Sequence, residues 1–391
     1  MSSDVEKISI VGAGHTPFGR LNENLEELII AATREALIDA NLPASAVDAV
    51  FIAHFNSGLV PDGFVSSLVH QADPDLRFKP STRVENACAS GSAAIHAGIN
   101  AILAGRARTV LIVGAEKMTS RSTPEVTEAL AGAGYKNDPA EAALSFPGVF
   151  ALAAKAYAER YGDPLPAMAE IASKNHMNAL ANPLAHMRRP MTVEDCANVT
   201  NKNPIIAPPL RLTDCSLVSD GAAALVLTTT QAARAHAHAA RFRSALHVSD
   251  YLPISKRDLI AYEGPTRAIR GAFDTAGVTL SDIDFAEVHD CFTIAELLTY
   301  EAMGLAPNGR GADALAGGTV MRGGKTPVNL SGGLKAKGHP IGASGVSMHV
   351  MAYRQLTGRA DDLQLPKADL GLVFNMGGAA VANYASVLSS R

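Results

Sequence analysis

Tryptophan is absent from the 391-residue sequence, and aromatic residues make up only 5% of it. Platforms for stacking nucleic-acid bases are therefore scarce. Charge of one sign is lacking too: 34 Lys and Arg against 38 Asp and Glu leave a formal net charge of −4. That balance gives no global attraction to nucleic acid or to an anionic membrane surface. No run of about 18 apolar residues exists, so no membrane span is expected. Four cysteines (Cys88, Cys196, Cys215 and Cys291) form no C-x-x-C pair and match no zinc ribbon. They are too few for a disulfide framework, which fits a reducing compartment. The polar segment Met1–Lys7 lacks the apolar core of a signal peptide, and a C-terminal Ser-Ser-Arg is not a good peroxisomal address. A cytoplasmic protein is expected. With 47% hydrophobic and 18% charged residues, the chain can bury a large core spread over two or three domains.

The pattern along the chain alternates strand and helix. Strands are expected at Lys7–Gly12, Val47–Ala53, Thr82–Asn86 and Thr109–Gly114, and helices at Leu25–Ala40 and Cys88–Gly105, the latter ended by Gly105. Apolar runs separated by helices predict parallel strands covered on both faces. From about Met118 to Ala207 the composition shifts to Pro, Met, His and Asn, which marks an inserted, lid-like region. Gly221–Thr229 returns to a buried strand. The last part repeats the scheme, with strands at Phe242–Tyr251, Ile283–Val288, Pro327–Leu330, Gly371–Phe374 and Val381–Leu388. Its helices are expected at Pro265–Ala276, Thr293–Met303 and Ala343–Leu356. Ala89-Ser90-Gly91 and Ala343-Ser344-Gly345 open corresponding small-residue helices. A duplicated α/β fold follows, with residues 1–117 and 208–235 as the first half, 118–207 as the insertion and 236–391 as the second half. Two packed halves place two loop–helix junctions at one interface, a common location for a site.

Three segments carry chemistry. Cys88, in VENACASGSAA, stands at a predicted helix start, where partial positive charge lowers a thiol pKa and free N–H groups can hold an oxyanion. The other reading of Cys88 is a buried structural thiol. His339, in GLKAKGHPIGASG, lies among glycines that allow close backbone approach to a ligand, as a base or hydrogen-bond donor; the other reading is a turn histidine. His289-Asp290-Cys291-Phe292 sits where a strand gives way to a helix, the end of a sheet at which α/β sites collect. There Asp290 also reads as a plain helix cap. Gly12-x-Gly14 follows a strand, but Pro17 occupies the third glycine position of a dinucleotide fingerprint. Helix surface explains His236 and His238 better than a metal does, with His247 nearby, and no G-x-S-x-G elbow is present.

Taken together and in this order, the segments ENACASGSAA, NPIIAPPLRLTDCSLVSDGAAALVL and GGLKAKGHPIGASG resemble the thiolase family over essentially the whole chain. His289-Asp290-Cys291-Phe292 replaces the Asn-Glu-Ala-Phe stretch of the commoner thiolases. Asn375-Met376-Gly377-Gly378 replaces their Cys-x-Gly. Both departures are similar to the sterol-carrier-protein-type and archaeal acetoacetyl-CoA thiolases.

The resemblance implies two βαβαβαββ halves in five αβαβα layers with an inserted loop domain. It implies Claisen condensation of acyl-CoAs, or thiolysis of a 3-ketoacyl-CoA, through a Cys88 acyl-enzyme. His339 would take the thiol proton and later polarise a thioester oxygen. Cys291 would move the α-proton, and His289 would serve the first oxyanion hole. The N–H groups of Cys88 and Gly377 would form the second. Coenzyme A is then substrate and product, with no permanent cofactor and no metal. A homodimer or homotetramer is implied, with a small zinc-ribbon/OB-fold partner protein in some relatives. The competing expectations are a partner-dependent acyltransferase on a specialised, for example aromatic, acceptor, and a non-catalytic acyl-CoA-binding protein.

Overall fold

The structure is a computed structural model that describes residues 4–390. Its first half begins with β1 (Ile8–His15), α1 (Leu25–Asp39), β2 (Ala49–Ala53), β3 (Ser81–Val84), α2 (Ser90–Leu103) and β4 (Thr109–Glu116). Next come α3 (Thr123–Ala131), α4 (Pro139–Ala142), α5 (Phe146–Tyr161), α6 (Leu165–Ala179) and α7 (Val193–Ala197), then a small hairpin of β5 (Ile205–Ala207) and β6 (Leu210–Arg211). β7 (Gly221–Thr229) returns to the main sheet, and α8 (Thr230–Ala233) leads out of it. The second half runs β8 (Ala240–Ser249), α9 (Glu263–Ala276), β9 (Phe285–Val288), α10 (Thr293–Met303), α11 (Ala312–Ala316), α12 (Ile341–Leu356), β10 (Leu370–Gly377) and β11 (Ala382–Ser389).

The duplication is visible in the strand order. One nine-stranded sheet reads β3-β2-β4-β7-β1 and continues β8-β11-β10-β9. The second list is the mirror of the first, joined where Ser9 and Ile10 pair with Arg241 and Ala240. The place matching β3 is held by a single bridge, Ala286 to Val328, rather than the strand expected at Pro327–Leu330. Asn329 explains the difference: its backbone is left-handed (φ 56°), and its side-chain Oδ1, not its backbone, accepts from Val288 N at 2.8 Å.

Pairing is parallel within β3-β2-β4 and β9-β10, but antiparallel wherever β7, β1, β8 or β11 takes part. Of the first strands expected to pair in parallel, β2, β3 and β4 do so, whereas β1 is antiparallel to both of its neighbours. β7 is apolar because helices cover both its faces, and that holds for either strand direction.

Alternation along each strand sorts the core into layers. In β4, Leu111 and Val113 face outward with α1, whereas Val110 and Ile112 face inward towards α2 and α12. In β10, Val373 faces the same central layer, whereas Leu372 and Phe374 face outward with α9 and α10. The result is helix, sheet, helix, sheet, helix. Gly12 and Gly14 lie inside β1, where a Cβ on either would run into the α1 backbone at Ala36 and Ala32. They serve close strand–helix packing, not a dinucleotide loop. Among the described residues no helix is long and apolar enough to cross a membrane.

The central helices touch through the duplicated Ala-Ser-Gly. A Cβ on Gly91 would meet Val346 N and Gly345, and one on Gly345 would meet Ser92 N at 2.5 Å and Asn375 Oδ1. Backbone is the obstacle, so the neighbours have little room to give. Gly345→Ala is expected to lower stability by about 1–3 kcal/mol through overpacking, read as a shift of the urea midpoint. An unchanged midpoint would show that this crossing is looser than described.

Candidate active site

A sharp turn carries Cys88. β3 ends at Val84 and α2 begins only at Ser90, so Cys88 precedes the helix instead of opening it. Ala87 is held in the left-handed region (φ 49°). Its N–H donates to Glu85 Oε1 at 2.5 Å, and its carbonyl accepts from Ser90 Oγ at 2.6 Å. Ser90 Oγ also accepts from Asn86 N. The turn places the thiol on the floor of a cavity of about 230 Å³, where Cys88 is 6% exposed.

The other half brings its groups to the same thiol. His339 precedes α12, and Ser344 in the first turn of that helix meets its Nδ1 at 2.6 Å. Ser344 Oγ gives its own hydrogen to Pro340 O, so it accepts from His339 Nδ1–H and leaves Nε2 with the lone pair. His289 follows β9, and Asn375 in β10 meets its Nδ1 at 2.9 Å. The Cys88 sulfur and one nitrogen of each histidine lie within 4.8 Å of one another. The two imidazoles stand nearly perpendicular (84°), with centroids 5.2 Å apart. Cys291 lines the same cavity. So the structure brings together the predicted Cys88, His289, Cys291 and His339. The backbone N–H groups set against the Cys88 sulfur are its own and that of Gly378, one residue beyond the expected Gly377. Gly377 closes β10 and packs on Ala89, where a Cβ would come within 3.2 Å.

The charges of the site are set by burial. Desolvation pushes the Cys88 thiol up to about 12, helped by Glu116 and Glu85 and opposed by the two N–H groups. The expected lowering by a helix terminus is therefore reversed: a thiolate away from water loses more than the N–H groups return. Burial holds His339 down at about 3, with Lys337 adding repulsion, and holds His289 well below the usual imidazole range, with His339 adding to it. The Cys291 thiol is pushed well above its ordinary value by burial, by Cys88 and by Asp290. The resting constellation is two neutral thiols and two neutral imidazoles.

Several buried polar groups support the site, and of these Glu116, Asn175, Lys174 and Glu296 were not singled out in the sequence. Glu116, ending β4, accepts from Phe55 N, Asn56 N and Gly342 N, and so ties the loop after β2 to the start of α12. A carboxylate closing the apolar run TVLIVGA was the available signal. Asp290 accepts from Leu334 N, Lys335 N and Asn175 Nδ2. Asn175 also reaches Glu296, which pairs with Lys174 at 2.8 Å. This network fastens the Cys291 loop to α6 and to the glycine-rich turn. Burial, with Glu296 beside it, holds the Asp290 carboxyl above the usual carboxylate range. Asp220 anchors Leu21, Lys117, Met118 and Thr119, and Ser219 Oγ accepts from His339 N. His236 and Ala40 O share a hydrogen bond, and His247 stacks on Tyr384; with His238 they form no metal-type cluster among the described residues.

The insertion builds one wall of the cavity, through Thr123, Val126, Thr127, Leu130, Phe146 and Ile206. Phe55, Phe292 and Ile341 add apolar surface around the thiols.

Comparison with known proteins agrees with this architecture. The family model described as Thiolase, N-terminal domain, matches residues 8–231, and Thiolase C-terminal domain-like matches residues 247–390. An acetyl-CoA acetyltransferase of Methanothermobacter thermautotrophicus is 36% identical over 376 residues, covering 95% of this chain and 96% of that one. Sterol carrier protein 2 of Oryctolagus cuniculus is 31% identical over 416 residues, covering 97% of this chain and 73% of that one. Among solved structures, an Ltp2-ChsH2(DUF35) aldolase superposes with a TM-score of 0.81 at 25% identity, covering 98% of each chain. With both halves matched and these relatives aligned over nearly its full length, the chain belongs to the thiolase family.

Proposed function

We propose that the protein is an acyl-CoA C-acyltransferase that cleaves a 3-ketoacyl-CoA with coenzyme A, or runs the same steps backwards as a Claisen condensation. The observation that carries this reading is the convergence of Cys88, His289 and His339 within 4.8 Å, at an apolar cavity that Cys88, Cys291 and His339 line.

In the direction of cleavage, Cys88 Sγ attacks the 3-keto carbon and its proton passes to His339 Nε2. The alkoxide is received by the N–H groups of Cys88 and of the Gly377-Gly378 turn. The C2–C3 bond breaks with its electron pair on C2, and His289 Nε2–H donates to the enolate oxygen. Cys291 protonates C2, a task suited to a thiol held neutral by burial. His339 then returns its proton to the Cys291 thiolate and takes the proton of incoming coenzyme A, whose sulfur attacks the acyl-Cys88 carbonyl. Cys88 leaves and recovers its proton from His339. Every group ends as it began, and coenzyme A is a substrate, not a resident cofactor.

The chain divides at 1–117 with 208–235, 118–207 and 236–391, and the middle part shapes the acyl pocket. The protein works in the cytoplasm as a homodimer or homotetramer. The solved aldolase named with a DUF35 partner supports a further reading, in which a small partner protein docks and a specialised acceptor is used. Co-purification with activity only in the complex would favour that reading.

The test is incubation with acetyl-CoA followed by intact mass and peptide mapping. One acetyl group on Cys88 is expected. Binding of CoA without any adduct would replace this reading with a non-catalytic one.

A further inference from the structure

His289 Nε2 is buried and has no hydrogen-bond partner, in a side chain only 1% exposed. Whether it offers a proton or a lone pair depends on the other nitrogen, and that nitrogen faces Asn375. The Asn375 amide is oriented by its remaining neighbours. Its Nδ2 lies 3.2 Å from Cys88 O, which can only accept, so the NH2 group must stand on that side. Ser92 Oγ donates to Asn375 Oδ1 at 2.8 Å on the other side. The space there exists because residue 345 has no side chain. With the amide so fixed, its second hydrogen meets His289 Nδ1, which must accept.

We infer that Asn375 sets the tautomer of His289, holding the ring proton on the unpartnered Nε2. Asn375 is thus a positioning residue: it touches no reacting atom and acts through the imidazole. The reversed amide would face Cys88 O with a second acceptor and lose that contact, whereas the Ser92 hydroxyl can meet either end, so Cys88 O decides the orientation. The arrangement also separates the jobs of the two histidines. Ser344 leaves His339 with a free lone pair for a thiol proton, whereas Asn375 leaves His289 with a free N–H for an oxygen.

The catalytic consequence rests on the acyltransferase reading, but the proton position does not. Neutron diffraction from a perdeuterated crystal is expected to show deuterium on His289 Nε2 and none on Nδ1. Deuterium on Nδ1 would overturn the inference, whatever the activity. A double-mutant comparison then measures the consequence. Asn375→Asp presents only acceptors, so it draws the proton to Nδ1 and leaves Nε2 bare. Cleavage of acetoacetyl-CoA should fall about 10²–10³-fold, the usual loss for one oxyanion donor. In a His289→Asn background, where residue 289 has no tautomers, the same change should cost less than about tenfold. Equal losses in both backgrounds would show a merely structural role. Failure of wild-type Cys88 to take an acetyl group would sink the acyltransferase reading while leaving the neutron result standing.

Discussion

Cys88→Ala is expected to lower thiolysis by roughly 10⁴–10⁶-fold, the scale seen when a catalytic nucleophile is removed. The acetyl adduct should vanish with it. The side chain is buried but small, and its loss leaves the Ala87 turn and the hydrogen bonds of Ser90 in place. The variant should therefore fold, and its urea midpoint provides the control. The form of the pH dependence follows from the same site. His339 is a free base above about 3, and Cys88 is a thiol below about 12. Between those values the reacting pair stays neutral, so acetylation should be level from about pH 5 to pH 9. A rise through neutrality would mean a preformed thiolate–imidazolium pair, contrary to the burial of both groups. Surviving turnover in Cys88→Ala would move the nucleophile elsewhere.

Cys291→Ala is expected to divide the two half-reactions. Formation of acetyl-Cys88 from acetyl-CoA needs His339 and the N–H groups behind Cys88, and should persist. The carbon–carbon step needs an acid or base at C2, and should fall roughly 10²–10⁴-fold. Asn375, at the place of the second thiol in the commoner thiolases, has no proton to exchange and is already engaged by Cys88 O, Ser92 and His289. Rapid-quench mass spectrometry gives the first rate, and acetoacetyl-CoA consumption gives the second. Equal losses in both would place Cys291 in the architecture of the cavity and not in the proton path.

Much of this layout was legible in the sequence because it is written in short-range signals. The apolar runs at 109–114 and 221–229, the stripe Leu25, Leu28, Ile29 and Ala32, and the paired Ala-Ser-Gly steps all fall where strands and helices form. Cys88 and His339 could be named as candidates because each lies in a long segment, and His289 and Cys291 because the short HDCF stretch stands in order between those segments. What escaped depends on partners distant in sequence. Nothing local to Cys88 shows that Glu116 stands near, or that burial outweighs the turn's N–H groups. Asn375 looked like a lost thiol, because its meaning lies in Cys88 O, Ser92 and His289. The join between Ser9-Ile10 and Arg241-Ala240 is of the same kind: neither stretch announces the other.

The place of β7 in the sheet has a consequence for how the chain is made. β7 lies between β4 and β1, and Ile8 pairs with Thr229. A ribosome adding about 5–20 residues per second leaves β1 waiting roughly 10–45 s for that partner. From the completion of β4 until β7 is made, the edges of β1 and β4 that β7 will cover are both open, and both are rich in apolar residues. The long insertion emerges during that time. The nascent first half therefore carries two unpaired apolar edges until Thr229 leaves the exit tunnel, the condition under which such edges favour aggregation.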